Sequence, residues 1–245
     1  MYLCKQLKIP HHELNFDVVF NEICNSMNKN IGSSRTKVKR VPSRGIYDAQ
    51  TAYDILDDAF ICHVAVVKED VPMVIPMLYG RSDDLLYIHG STKSSLLELL
   101  TSGGLCSLTV THIDALVLAR SAFHHSANYR SVVLLGTMEL VDDVIEKEKA
   151  LAVISDQIIP GRWSEARLPN QKELKGTSVL KFKIQEGSSK IRTGGPNDDK
   201  EDYNLDIWAG IIPLKLKAEE AIPDPLMTKK LEQPESVKSY LKNKK

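Results

Sequence analysis

The sequence predicts a β-rich α+β protein whose antiparallel strands form a barrel with a few flanking helices. Two observations carry that expectation. Six or seven short β-type runs recur between residues 61 and 184, and turn-type clusters separate them at short intervals. A third observation excludes the main competitor: a doubly wound dinucleotide fold needs GxGxxG after its first strand, and no such motif occurs.

In chain order, residues 1–43 are mixed in character and read as an N-terminal extension that is partly flexible. Within them FDVVFNEICNSM has the spacing of a short amphipathic helix, whereas NKNIGSSRTKVKRVPS is a polar, basic connector. The ordered domain is expected from Arg44 to Leu214. It opens with TAYDILDDA, where Ala52, Ile55, Leu56 and Ala59 share one helical face. The β-type runs follow: ICHVAVV, VPMVIPMLYG, LLYIHG, LCSLTVTHI, ALVLARS, RSVVLLGTMELV and SVLKFKI. KED, RSDD, SGG and HID mark turns between them. SSLLELLTS and DDVIEKEKALAVISDQII read as helices. After Ile184 the chain turns Gly-, Pro- and Asp-rich and reads as irregular until IWAGIIPL, and residues 215–245 form a charged tail.

Composition narrows the function classes. Lys plus Arg and Asp plus Glu number 32 each, so no basic excess marks a nucleic-acid surface. No apolar run reaches the roughly 18 residues of a membrane span, and the N-terminus carries no signal-type apolar core. The four cysteines lie far apart without a CxxC pair, which points to free thiols in a reducing, cytoplasmic setting.

The most chemically loaded stretch is HGSTKSSLLELL, residues 89–100. Gly90 ends a strand; Ser91, Thr92 and Ser94 suit a helix N-cap; Lys93 adds a full positive charge beside the first free N–H groups. These parts suit a phosphate. A P-loop is excluded because Thr92, not glycine, stands immediately before the lysine. The residues alone leave open a plain helix cap with a solvated lysine.

The second stretch, RSAFHHSANYR (Arg120–Arg130), joins two strands. Its histidines His124 and His125 suit proton transfer near neutral pH, and Arg130 suits an anionic substrate. A hydrogen-bonded connection with solvated histidines remains the alternative. No metal is expected. Neighbouring histidines on a strand face opposite ways, and His63, His89 and His112 carry no supporting carboxylate spacing. GxSxG is absent, so no nucleophile elbow is present.

Taken together, VAVVKEDVPMVIPMLYGRSDDLLYIHGSTKSSLLELL, continued by LCSLTVTHIDALVLARSAFHHSANYRSVVLLGTMELV, resembles the FMN-binding split-barrel superfamily. That superfamily includes pyridoxamine 5′-phosphate oxidase and the nitroimidazole-resistance flavoproteins. The resemblance implies FMN as cofactor, with Lys93, Ser91 and Ser94 at its phosphate. It implies the second strand along the flavin ring (Pro76, Met77, Leu78, Tyr79), Ile88 and His89 near the ring or ribityl chain, and Arg192 and Trp208 as covers. It further implies a homodimer with FMN at the subunit interface and oxidoreduction of a small molecule. A non-catalytic flavin module, or the same barrel holding haem or a deazaflavin, stands beside that reading. Where the oxidase has an arginine and a lysine at the ends of its second strand, this chain has Met73 and Tyr79.

Overall fold

The computed structural model describes residues 29–229 and 231–243. Among them, ten strands form an antiparallel, open split barrel with six helices. The strands are β1 (Gly45–Ile46), β2 (Ile61–Lys68), β3 (Val71–Ser82), β4 (Leu85–Ser91) and β5 (Cys106–Leu118). Then come β6 (Ser126–Gly136), β7 (Met138–Leu140), β8 (Thr177–Lys183), β9 (Glu186–Arg192) and β10 (Gly210–Pro213). The helices are α1 (Ala49–Asp57), α2 (Ser95–Thr101), α3 (Val144–Ile158), α4 (Arg162–Glu165), α5 (Gln171–Gly176) and α6 (Glu235–Asn243). The sheet order is β1-β9-β6-β5-β2-β3-β4-β8-β7, with β10 added on β5.

Local chemistry explains the path. Glu69 and Asp70 both adopt positive φ, 50° and 63°, in the two-residue turn of the β2–β3 hairpin. Asp48 caps α1 by accepting the Thr51 N–H at 2.8 Å. Inward-facing Cys62, Val64, Leu108, Val110, Val132 and Leu134 alternate along β2, β5 and β6 and fill the core with Phe182 and α1. Helix α3 lies on the other side of β3 and β4 at very close range. A Cβ built on Gly80 would stand 2.6 Å from the Ile154 nitrogen, so only glycine allows this approach.

Strand β3 serves two sheets in turn. Val71–Leu78 pair with β2, whereas Tyr79–Ser82 pair with β4. Beyond Ile88, β4 pairs only with β8, so β3 and β4 separate there. That parting is the split in the barrel.

Two expectations need correcting. The domain packs well before Arg44: Ile31 is 1% exposed in the core, and its N–H donates to Tyr47 O at 2.9 Å. The expected amphipathic helix over FDVVFNEICNSM lies outside the described residues. The segment after Ile184, expected to be irregular, begins with β9, inserted between β1 and β6. It escapes a hydrophobicity reading because it is buried by small residues. Gly187, Ser188 and Ser189 lie inside, and a Cβ at Gly187 would sit 2.6 Å from Leu134 Cδ2. In the charged tail, α6 returns to the body, where the Ser236 N–H donates to Glu165 Oε1 at 3.1 Å. No helix among the described residues is long and apolar enough to cross a membrane.

Candidate functional site

The split creates an unusual strand edge. Over Val71–Leu78, β3 has a partner on one side only among the described residues. Tyr79 N–H donates to Phe60 O at 3.2 Å on the β2 side. The alternation of a strand therefore turns the nitrogens of Pro72, Val74, Pro76 and Leu78 toward the unpaired edge. Two of these four are prolines, which have no N–H to offer. That is how an edge strand avoids adventitious pairing. Val74 and Leu78 keep the N–H donors on this edge.

Where β4 leaves β3, its chain runs into the Ser91–Ser94 loop. Ser91 Oγ accepts the Lys93 N–H at 3.2 Å, and Ser94 N–H donates to Ser91 O at 2.9 Å. The Thr92 N–H donates to Gly176 O at 3.1 Å, tying the loop to the end of α5. Ser94 is the N-cap of α2, accepting the Leu97 N–H at 3.4 Å. Lys93 is exposed and makes no ion pair among the described residues. The turn is thus held by backbone and hydroxyl contacts, while the ammonium remains available.

The remaining residues expected at the flavin divide by strand phase. Pro76 and Leu78 point outward and are exposed, whereas Met77 turns inward against the core. Tyr79 and Ile88 are both 0% exposed, so neither side chain reaches a surface. The Tyr79 hydroxyl instead donates to Leu56 O, and burial pushes the phenol up. Tyr79 and Ile88 are paired across β3 and β4 and share the inner face, so these positions present backbone, not side chain, to anything lying beside the strands. His89, opposite in phase to Ile88, lines a cavity of about 400 Å³ with Leu151, Ile154, Trp163 and Arg167. Its Nδ1 is buried without a partner among the described residues, and burial lowers its pKa.

The Arg120–Arg130 connection is tied down. The buried Asp198 carboxylate accepts the backbone N–H groups of Arg120 and Ser121 at 2.9 and 3.2 Å and the Arg120 guanidinium at 3.2 Å. His125 Nε2 lies 3.2 Å from Ala119 O, and His124 Nε2 lies 3.3 Å from Asp199 Oδ2. Asp202 joins His124 and Asp199 in a partly exposed group. Arg130 reaches Asp114 at 3.1 Å and Asp58 at 2.6 Å, and hydrogen bonding to these carboxylates raises its pKa. A β-bulge between Ile113 and Ala115 lies beside Asp114. The expected anion-binding role of Arg130 is corrected here: two carboxylates already neutralise it.

Arg192 is 7% exposed, with its guanidinium donating to Asn128 Oδ1 and to Gly195 O at 3.1 Å. It meets no carboxylate among the described residues, and burial depresses its pKa. Trp208 is 67% exposed, its ring resting on Gly210. Trp208 lies far along β5 from His63: Gly210 pairs with Leu118, nine residues along the strand from Thr109, which pairs with His63, and at 3.3 Å per residue that is about 30 Å.

The three strand histidines stand in different surroundings. His112 Nε2 lies 3.0 Å from Ile55 O, His89 faces α3, and His63 points outward from β2. The three do not converge. His63 is the exposed one, with no hydrogen-bond partner among the described residues. Its flanking exposed neighbours on β2 and β3 include Ile61, Val74 and Leu78. The signal was the alternation in ICHVAVV, which puts His63 on the face opposite Cys62 and Val64.

The open antiparallel sheet, parted beside a cationic strand-to-helix loop, defines the split-barrel class of proteins. Residues 48–191 match the family model described as pyridoxamine 5′-phosphate oxidase, and the chain belongs to that family. It is similar to the flavocytochrome Anf3 from Azotobacter vinelandii, with 39% identity and a TM-score of 0.80 over 84% of this chain and 96% of that one. It is also similar to the FAD and haem binding protein from Mycobacterium smegmatis, with 34% identity and a TM-score of 0.77 over 80% and 96% of the two chains. A comparison with curated proteins found no match.

Proposed function

We propose that this protein binds a flavin nucleotide and haem and works as an oxidoreductase on a small molecule. The observation that carries the flavin half is the unpaired edge of β3 beside Lys93. Val74 and Leu78 hold N–H donors there for the polar rim of a flavin ring, and Lys93 supplies charge for the first phosphate. When bound, a flavin supplies one- or two-electron transfer; the chain's part is to position the ring, anchor the phosphate and limit water.

FMN and FAD share the ring and that first phosphate. FMN follows from the sequence resemblance, and FAD from the relative in M. smegmatis. Two relatives, a flavocytochrome and a haem-binding protein, support haem. The exposed apolar face of β2 and β3 supports a homodimer. A second copy laid on that face covers a flavin ring and brings its own Trp208 and Arg120–Arg130 connection toward it.

Absorbance of the purified protein followed by mass spectrometry of the released cofactors tests the reading. Flavin bands with a mass of FMN or FAD are expected, together with a Soret band. Equal affinity of the apoprotein for riboflavin and FMN removes the phosphate role of the loop. Bound flavin that no nicotinamide or chemical donor reduces leaves a binding module instead of an enzyme.

A further inference from the structure

We infer that His63 is the side chain through which this chain holds haem iron, an inference that rests on the haem half of the proposed function. Iron in haem proteins is commonly held by a neutral imidazole whose binding nitrogen is free. Among the described histidines, His112, His124 and His125 each have a ring nitrogen committed to an oxygen, at 3.0, 3.3 and 3.2 Å. His89 keeps Nδ1 buried and packs beside α3. His63 alone combines exposure with no hydrogen-bond partner among those residues.

Its surroundings suit a macrocycle better than water. Ile61 and Ala65 flank it on its own strand, Pro76 stands directly across on β3, and Val74 and Leu78 lie diagonally. Ile61, Val74 and Leu78 are 44%, 61% and 39% exposed, and Val67 farther along is 59% exposed. On the other side the partner is Thr109, with Ser107 opposite Ala65. No charged residue occupies these positions, so nothing local draws the imidazole into an ion pair. A solvated histidine does not need seven apolar or small neutral neighbours, and a contiguous apolar patch of this kind marks a binding surface. The position also fits the flavin half, because Pro76 lies on the β3 edge assigned to the ring.

The test is hemin titration of apoprotein followed through the Soret band, using wild type, His63→Ala and His89→Ala, with flavin titration of each in parallel. Wild type is expected to bind hemin with a histidine-ligated Soret spectrum. His63→Ala should weaken hemin binding at least tenfold or shift the spectrum to that of unligated hemin. Added imidazole should restore the ligated spectrum, and flavin affinity should stay near wild type. A wild-type spectrum in His63→Ala overturns the inference, as does loss of the band in His89→Ala instead. Wild-type apoprotein that takes up no hemin removes the haem half of the proposed function and this inference together, whereas the flavin titration still judges the flavin half.

Discussion

His63 and Pro76 stand directly opposite each other on β2 and β3. One is an imidazole without a partner among the described residues, and the other replaces an N–H on the strand's unpaired edge. This single cross-strand pair links the face on which we place haem to the edge on which we place the flavin. On that proposal both cofactors sit on one hairpin whose turn is two residues long.

Lys93→Ala should leave the fold intact and weaken flavin nucleotide binding. A charge-assisted contact is worth about 1.5–3 kcal/mol, which corresponds to roughly tenfold to a hundredfold in affinity. Quenching of flavin fluorescence on titration measures it. Thermal melting without flavin should hardly change, because the lysine is exposed and unpaired among the described residues. Unaltered flavin affinity would place the phosphate elsewhere.

Val67→Asp should separate subunits. Light scattering on the wild type is expected to give about twice the 27.4 kDa of one chain. Val67 is 59% exposed in the isolated chain, so a carboxylate there costs the monomer little but is desolvated in the pair. The variant should keep its far-UV circular dichroism, run as a monomer and lose flavin. A monomer that retains its flavin would show that one chain builds the site alone.

Cys62 and Cys106 should resist thiol reagents until the protein unfolds. Both are buried, and desolvation pushes their pKa values up to about 12 and about 11. The thiolate that reacts is therefore scarce at neutral pH. Labelling at pH 7.5 with and without denaturant, read by peptide mass, separates these two thiols from accessible ones. Rapid native labelling of either would contradict the packing of β2 against β5.

The Glu173 carboxylate titrates low, from its usual 4.5 to about 2, because the Arg167 guanidinium and the Asn170 N–H both hydrogen-bond it. A folded-state pKa below the unfolded one gives stability that is present above pH 4.5 and lost as pH falls toward 2. Wild type should therefore melt above Glu173→Gln at neutral pH, and the two melting curves should converge between these pH values. A gap that persists unchanged to pH 2 would assign the loss to packing and not to charge.

The sequence by itself determined the class of fold, because alternation and turn chemistry are local: ICHVAVV, KED and VPMVIPMLYG suffice to write a hairpin. It also determined that the charge of Lys93 sits at a strand-to-helix loop, since hydroxyls, glycine and lysine are contiguous there. Only the tertiary structure decided which side chains are free to act. Arg130 is neutralised by Asp114 and by Asp58, the latter 72 residues away, and no local pattern announces such a partner. Tyr79 and Ile88 turn their side chains to the inner face, which sequence alone does not decide, because which face of a twisted strand is buried depends on what packs against it. β9 was invisible because its burial is achieved by glycine and serine under Leu134, a fit that hydrophobicity cannot register. The prominence of His63 also emerged only in three dimensions. An exposed imidazole is ordinary in a sequence, and it becomes informative when β3 surrounds it with apolar neighbours that share no element with it.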